Sequence, residues 1–167
     1  RENVPPSHAL PELPRYSRHD KIRIGYFSAD FRIHAVSILT AGLFEKHDKS
    51  KFELIAFSYG PDSNDEMRHR VVAAFDKFID VRAQSDKNVA QLSRKLEVDI
   101  AIDLGGFTQD RRTDIFAMRA APIQASYLGY LGTMGAEYID YLIADSTIVL
   151  KKHQEYFSEK IVYLPSY

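Results

Sequence analysis

The stretch Ile24–Ser37, which reads IGYFSADFRIHAVS, decides the fold of this chain. Residues 21–27 alternate β-branched or aromatic residues with polar or small ones, a pattern that predicts a β-strand. From Val36 onward apolar residues recur at helical spacing, so the polar residues before it form a loop. In an open α/β sheet such a loop lies beyond the carboxyl end of a strand, where ligands bind. The stretch therefore predicts a strand, a loop that could form a site, and a helix.

The alternation of strand and helix continues along the chain. Further strands are predicted over residues 52–58, 78–81, 99–104, 123–128, 141–144 and 161–164, and helices over residues 36–46, 65–75, 85–95, 113–119 and 152–157. The helix 65–75 is amphipathic, and Arg68 is predicted to point away from its apolar face. Repeated βαβ units predict right-handed crossovers, and hence an α/β fold with a parallel sheet in three layers.

Composition narrows the class of protein. The chain has 167 residues, which suits one domain, and its 22 basic and 23 acidic residues leave a net charge of −1, so we expect neither nucleic acid nor a membrane surface as a partner. The absence of cysteine excludes disulfides, thiol catalysis and thiolate metal sites. Residues 1–20 hold four of the seven prolines and lack a signal-peptide core, which predicts a linker or tail before a domain over residues 21–167. A cytoplasmic location is expected.

The loops after the first, fourth and fifth strands should converge at one edge of the sheet. The crevice there would contain Asp30, His34, Thr108, Arg111, Arg112 and the glycine-rich segment Gly129–Gly135. Each has a structural alternative: His34 could be a surface or capping residue, the aspartate could cap the following helix, the arginines could be a solvated pair rather than bind a phosphate, and the glycines could serve a tight turn. The glycine-rich segment matches neither the dinucleotide fingerprint nor the P-loop. The histidines have no metal-ligand spacing, and no serine triad pattern is present.

Four segments, taken in their order along the chain, indicate a protein family more specifically than these patterns do. They are IGYFSADFRIHAV (residues 24–36), DLGGFT (103–108), APIQASYLGYLGTMG (121–135) and IDY (139–141) with Asp145. Together they resemble consecutive motifs of the O-GlcNAc transferase and SPINDLY-like glycosyltransferases, with Arg32 and Val36 closer to the bacterial pattern.

The resemblance implies a GT-B architecture, in which two Rossmann-like lobes enclose a nucleotide sugar. It covers the N-terminal lobe, residues 21–167, and nothing after Tyr167 supplies the C-terminal lobe, so this fragment alone is expected to be inactive. The implied partners are that lobe, N-terminal helical repeats, a protein acceptor and a nucleotide sugar. The implied function is the N-terminal half of an inverting glycosyltransferase that moves a sugar, GlcNAc from UDP-GlcNAc, to Ser or Thr of proteins, with no metal and no cofactor.

By motif position the resemblance assigns catalytic residues and a substrate-binding set. The catalytic residues are His34 and Asp30, and the substrate-binding residues are Phe107, Thr108, Leu128, Gly129, Tyr130, Gly132 and Thr133. An imidazole titrates near neutral pH, so His34 could orient the acceptor or assist proton transfer, without being assigned as the general base. Val36 replaces the threonine of the animal enzymes and Leu131 the usual proline, and Phe107 stands where those enzymes have tyrosine.

These departures leave alternatives open. Loss of the hydroxyl at Val36 removes one possible hydrogen bond to substrate, so another donor such as GDP-fucose is a second hypothesis. A third is a non-catalytic protein-binding scaffold, because a fold alone does not establish activity. A flavodoxin-like or receiver-like binding domain is disfavoured by the glycine-rich third loop.

Overall fold

The computed structural model describes residues 10–165, which form a three-layer α/β domain. Its strands are β1 (Ile22–Ser28), β2 (Phe52–Ser58), β3 (Lys77–Asp80), β4 (Ile100–Asp103), β5 (Ile123–Tyr127), β6 (Tyr141–Ala144) and β7 (Lys160–Tyr163). Its helices are α1 (Ala35–Lys46), α2 (Glu66–Ala74), α3 (Asp86–Lys95) and α4 (Asp114–Ala117), with a 3-10 helix over Lys151–Tyr156. The predicted fold class and all the predicted strands are confirmed, and the last predicted helix is a 3-10 helix.

The seven strands form one sheet in the order β3-β2-β1-β4-β5-β6-β7, and every neighbouring pair is parallel. The chain moves outward in one direction from β1 to β3 and then crosses to β4 on the other side of β1. The order of strands therefore reverses between β1 and β4. In open α/β sheets a crevice forms beyond the carboxyl ends of the two strands at such a point.

Apolar side chains cover both faces of the sheet. On the face that packs against α3 and α4, the rings of Phe27 and Phe57 stack with centroids 4.3 Å apart. On the face that packs against α1 and α2, Phe31 and Phe44 are buried with Phe75. Burial on both faces explains why these strands read as nearly continuous apolar runs.

The segment before the sheet lies against the domain. Residues 10–20 contain no helix or strand, but Leu10 packs against the core and Pro11 accepts a hydrogen bond from Arg94. His19 contacts Glu97 at 2.8 Å. Residues 1–9 of the predicted linker lie outside the described residues. In the described part of the chain no helix has the length and apolar character that crossing a membrane requires.

The prediction for Arg68 is wrong, because its side chain is buried rather than directed away from the core. Its guanidinium donates to the carbonyl of Phe31 at 3.2 Å, pairs with Asp62 at 3.0 Å and lies 5.1 Å from the ring centroid of Phe78. A planar cation with several donors can be buried when carbonyl, carboxylate and ring partners surround it. The spacing of apolar residues along α2 carries no information on these partners.

Candidate active site

A cavity of about 220 Å³ lies at the point where the strand order reverses. The loops that follow β1, β4 and β5 form its walls, as the sequence predicted. Its lining residues are Asp30, Arg32, His34, Val36, Thr108, Gln109, Asp110 and Gly129. The cavity thus brings together four predicted site residues, Asp30, His34, Thr108 and Gly129. The first and the last of them are almost 100 residues apart in the sequence.

His34 begins helix α1 as its N-cap. The residue has extended backbone angles, and its ring nitrogen Nδ1 accepts a hydrogen bond from the backbone N–H of Val36 at 3.3 Å. An imidazole nitrogen that accepts a hydrogen bond carries no proton. In the neutral ring the proton therefore resides on Nε2, and His34 can donate a hydrogen bond to an oxygen in the cavity.

Asp30 lies between two basic side chains. One carboxylate oxygen accepts a hydrogen bond from Arg32 Nη2 at 3.2 Å, and the other is 3.6 Å from Nδ1 of His34. The carboxylate does not cap α1, which was the structural alternative, because His34 occupies that position.

A buried acid at the end of β4 accepts hydrogen bonds from the loop that follows this strand. Asp103 is 2% exposed, and its Oδ1 accepts hydrogen bonds from the amides of Gly105 at 2.8 Å and Gly106 at 3.0 Å. Burial raises the pKa of the Asp103 carboxyl, although the two amides oppose this effect. The hydroxyl of Thr108 donates to the carbonyl of Gly105, which closes the turn and places this predicted residue in the cavity wall.

Aromatic contact joins this loop to the one after β5. The rings of Phe107 and Tyr130 meet edge to face with centroids 5.5 Å apart, and the guanidinium of Arg111 lies 5.5 Å from the Phe107 ring. A Cβ on Gly106 would come within 2.4 Å of Tyr130 Cβ, so only glycine allows this approach. Two further predicted residues, Phe107 and Tyr130, therefore support the cavity wall without being among the residues that line the cavity.

The remaining predicted residues lie in the loop after β5. Leu128 is half-buried with a left-handed φ of 68°, and a Cβ on Gly132 would be 3.0 Å from the hydroxyl of Tyr130. Thr133 directs its hydroxyl to Glu159 at 2.7 Å. The loop therefore makes tight contacts with itself and with the segment that precedes β7.

Arg112 has a structural role and is not among the residues that line the cavity. Its Nε donates to Asp86 at 2.6 Å, and its two Nη groups donate to the carbonyls of Val81 and Gln84. The guanidinium also lies 5.5 Å from the ring centroid of Tyr59. These contacts use three of the five N–H donors of the guanidinium and direct it to α3 and the turn before it, so the prediction that Arg112 joins the site crevice is not supported.

A larger depression of about 540 Å³ lies at the opposite, amino edge of the sheet, beside residues 18–23. Charged side chains line it, and they pair with one another, as Arg23 does with Glu53 at 3.2 Å. We place the site in the smaller cavity because ligands of open α/β sheets bind beyond the carboxyl ends of strands. Over residues 10–165 no group of three or more histidine, aspartate or glutamate side chains could hold a metal ion.

Several residues of the site were missed by sequence reasoning. Gln109 and Asp110 line the cavity, and the order and spacing of the loop after β4 could have suggested them. Asp103 could have been found because an acid is unusual in a strand buried on both faces. Glu159 gave no sequence signal, since its contacts are about 25 residues away in the chain.

The sequence of the chain is similar to those of known proteins. The sequence profile of glycosyl transferase family 41 matches residues 8–167. The chain is 39% identical over 145 residues to the probable UDP-N-acetylglucosamine–peptide N-acetylglucosaminyltransferase SEC of Arabidopsis thaliana, and the match covers 87% of the chain and 15% of that protein. It is 32% identical over 146 residues to the UDP-N-acetylglucosamine–peptide N-acetylglucosaminyltransferase of Caenorhabditis elegans, with 87% and 13% covered.

The fold of the chain is also similar to that of a solved structure. A mutant of the O-GlcNAc transferase of Thermobaculum terrenum superposes with a TM-score of 0.84 at 32% identity, over 89% of this chain and 28% of that one. The chain thus spans less than a third of the solved structure and about 15% of its relative SEC.

Proposed function

Since the chain belongs to glycosyl transferase family 41, we propose that it forms the N-terminal lobe of the catalytic region of a protein glycosyltransferase. The donor is a nucleotide sugar, UDP-GlcNAc, and the acceptor is a Ser or Thr hydroxyl of a protein, with inversion at the anomeric carbon. A C-terminal lobe completes the cleft, and helical repeats precede the lobe. The cavity where the strand order reverses, with His34 and Asp30 at its wall, is the observation that carries this proposal.

His34 serves as a hydrogen-bond donor in this reaction. Its Nδ1 accepts the N–H of Val36, so Nε2 carries a proton and can bind an oxygen of the acceptor or the donor. A nitrogen that already carries a proton cannot take one from the acceptor hydroxyl. The hydrogen bond that caps the helix holds the ring in place, and preorganised donors of this kind stabilise charge that develops in a transition state.

The wall of the cavity also bears on the choice of donor. Val36 is buried and lines the cavity with an apolar side chain. A site without a hydroxyl at this position gains nothing from a sugar group that requires a hydrogen bond there. GDP-fucose is therefore the competing donor against which UDP-GlcNAc has to be compared.

The test is sugar transfer by the full-length protein, with UDP-GlcNAc and GDP-fucose supplied in parallel. The variant His34→Asn keeps an acceptor for the amide of Val36, since asparagine is among the best N-caps, but loses the Nε2 donor. We expect kcat/KM to fall about a hundredfold while the thermal midpoint stays close to that of the wild type. The exposed His153, on the 3-10 helix, provides the control variant His153→Asn.

Two outcomes would count against the proposal. Equal kcat/KM for His34→Asn and the wild type would remove His34 from the site. Absence of transfer from both sugars, with a wild-type protein that is folded and binds a protein partner, would favour the non-catalytic scaffold.

A further inference from the structure

Glu159 is a buried carboxylate whose two oxygens are both used in hydrogen bonds. The residue is 4% exposed and directly precedes β7. Its Oε1 accepts the backbone N–H of Met134 at 2.6 Å, and its Oε2 accepts the hydroxyl of Thr133 at 2.7 Å. Burial of a carboxylate is costly unless its oxygens receive strong hydrogen bonds, and short bonds of this type are about twice as strong as neutral ones.

The hydroxyl of Thr133 has no capacity left for a substrate. Besides its bond to Glu159, its oxygen accepts the amides of Gly135 at 3.0 Å and Ser158 at 3.3 Å, and it lies 3.1 Å from the hydroxyl of Ser158. A hydroxyl has one proton and two lone pairs, and all three are thereby used. The hydroxyl thus connects the loop after β5 to the segment before β7.

This connection extends to the cavity. Residues 129–135 have no helix or strand, and three of the seven are glycine, so the loop gains little order from its own backbone. Gly129 lines the cavity, and the loop touches the neighbouring loop through Tyr130 and Phe107. External anchors must therefore set its conformation, and Glu159 supplies two of them.

We propose that Glu159 is a positioning residue that fixes the loop Gly129–Gly135 and, through it, one wall of the substrate cavity. Thr133 belongs to this arrangement and acts by holding the loop. The structural part of the proposal stands on the hydrogen bonds alone, whereas its kinetic consequence rests on the proposed glycosyl transfer. A small displacement of a wall that orients substrate is enough to lower the rate of a reaction by about 10²-fold.

The experiment compares Glu159→Gln with Glu155→Gln in the full-length protein. Glu155 is exposed on the 3-10 helix, so its variant controls for the loss of one charge near the same segment. Hydrogen exchange of the amide of Met134 is measured together with kcat and KM for the nucleotide sugar. We expect exchange at Met134 to become at least about tenfold faster in Glu159→Gln, because an amide side chain cannot accept from both donors at full strength.

The kinetic expectation is a fall in kcat/KM of about tenfold or more for Glu159→Gln and no change for Glu155→Gln. Unchanged exchange at Met134 in a folded Glu159→Gln protein would overturn the proposal. Faster local exchange without detectable transfer by the wild type would leave the role of Glu159 intact and count against the proposed function.

A second pair of variants decides the matter if Glu159→Gln does not fold. Thr133→Ser keeps the hydroxyl and Thr133→Val removes it at nearly constant volume. The serine variant should retain protection of the Met134 amide against hydrogen exchange, and the valine variant should lose it. Equal behaviour of the two variants would overturn the proposal.

Discussion

Replacement of the buried Asp103 tests how the loop after β4 is held. Its Oδ1 is the acceptor for the amides of Gly105 and Gly106, two and three residues further along the chain. Asp145, at the end of β6, accepts the amides of Thr147 and Ile148 in the same pattern, but at an exposed site. The variants Asp103→Ala and Asp145→Ala therefore remove the same pair of hydrogen bonds in different surroundings.

Asp103→Ala should lose more unfolding free energy than Asp145→Ala. A buried amide left without an acceptor costs about 1–3 kcal/mol, so Asp103→Ala should lose about 2–5 kcal/mol of unfolding free energy. Water can replace the acceptor at Asp145, and we expect a loss of less than about 1.5 kcal/mol there. Urea denaturation of each variant gives the two values. Equal losses would show that the amides beside Asp103 are not dependent on its carboxylate.

A third variant, Asp103→Asn, isolates the charge. Burial raises the pKa of Asp103 in the folded protein, so its contribution to stability is complete below the unfolded pKa of 3.8 and is lost as the pH rises through the folded pKa. Asparagine keeps the oxygen acceptor and does not titrate. The variant should therefore gain stability relative to the wild type as the pH rises, by about 1.4 kcal/mol for every pH unit that separates the two pKa values of Asp103.

The assay is urea denaturation of the wild type and Asp103→Asn at intervals between about pH 4 and pH 8, the range over which a raised carboxyl pKa affects stability. Parallel curves of unfolding free energy against pH would refute the reasoning. They would mean that the folded and unfolded states release the proton of Asp103 at the same pH.

Two further predictions concern groups outside the cavity. Hydrogen bonds to Glu97 and Asp99 raise the pKa of His19 above 6.5. The stabilising effect of His19 is therefore complete below that pH and is lost as the pH rises through the pKa of the folded protein. The difference in unfolding free energy between the wild type and His19→Gln should be larger at about pH 5.5 than at about pH 8.5, and a constant difference would contradict this. Arg112→Lys should lose about 1.5–3 kcal/mol, because lysine cannot reproduce the planar set of bonds to Asp86 and two carbonyls. The exposed Arg82→Lys should lose less than about 1 kcal/mol in the same denaturation assay. An equal loss for the two variants would mean that the contacts of Arg112 add no more to stability than an exposed ion pair.

The sequence was sufficient to predict the sheet and the edge at which the site forms. Periodicity locates the strands, and the handedness of crossovers brings the loops after β1, β4 and β5 together, which is why Asp30, His34 and Thr108 could be placed in one crevice. Roles that depend on tertiary partners could not be predicted. Arg68 is buried because partners on three other segments surround it, and Glu159 acts on residues about 25 positions away. Neither relation leaves a periodic trace in the chain.

The glycine-rich loop adopts the left-handed backbone conformation at one of its glycines, and the leucine just before the loop adopts it as well. Glycine allows positive φ or the close approach of a neighbour. Gly135 has a φ of 59°, and Leu128, the residue before Gly129, has a φ of 68°. Gly129 is needed for another reason, since a Cβ there would be 1.9 Å from the carbonyl oxygen of Leu104. A left-handed conformation costs a residue with a Cβ about 1–2 kcal/mol, so strain is present at Leu128, which the resemblance assigned to the substrate-binding set.

The comparison of Leu128→Ala with Leu128→Gly measures this strain. Both variants lose the leucine side chain, but only glycine adopts a φ of 68° without a steric penalty. At ordinary positions glycine is less stable than alanine by about 0.4–1 kcal/mol, because it adds freedom to the unfolded chain. At Leu128 the order should invert, with glycine more stable by about 0.5–1 kcal/mol in urea denaturation. The exposed Leu131, which is not left-handed, provides the control pair and should show the ordinary order. Alanine more stable than glycine at both positions would mean that the backbone at Leu128 relaxes out of the left-handed region, and that the strain is not held by the loop.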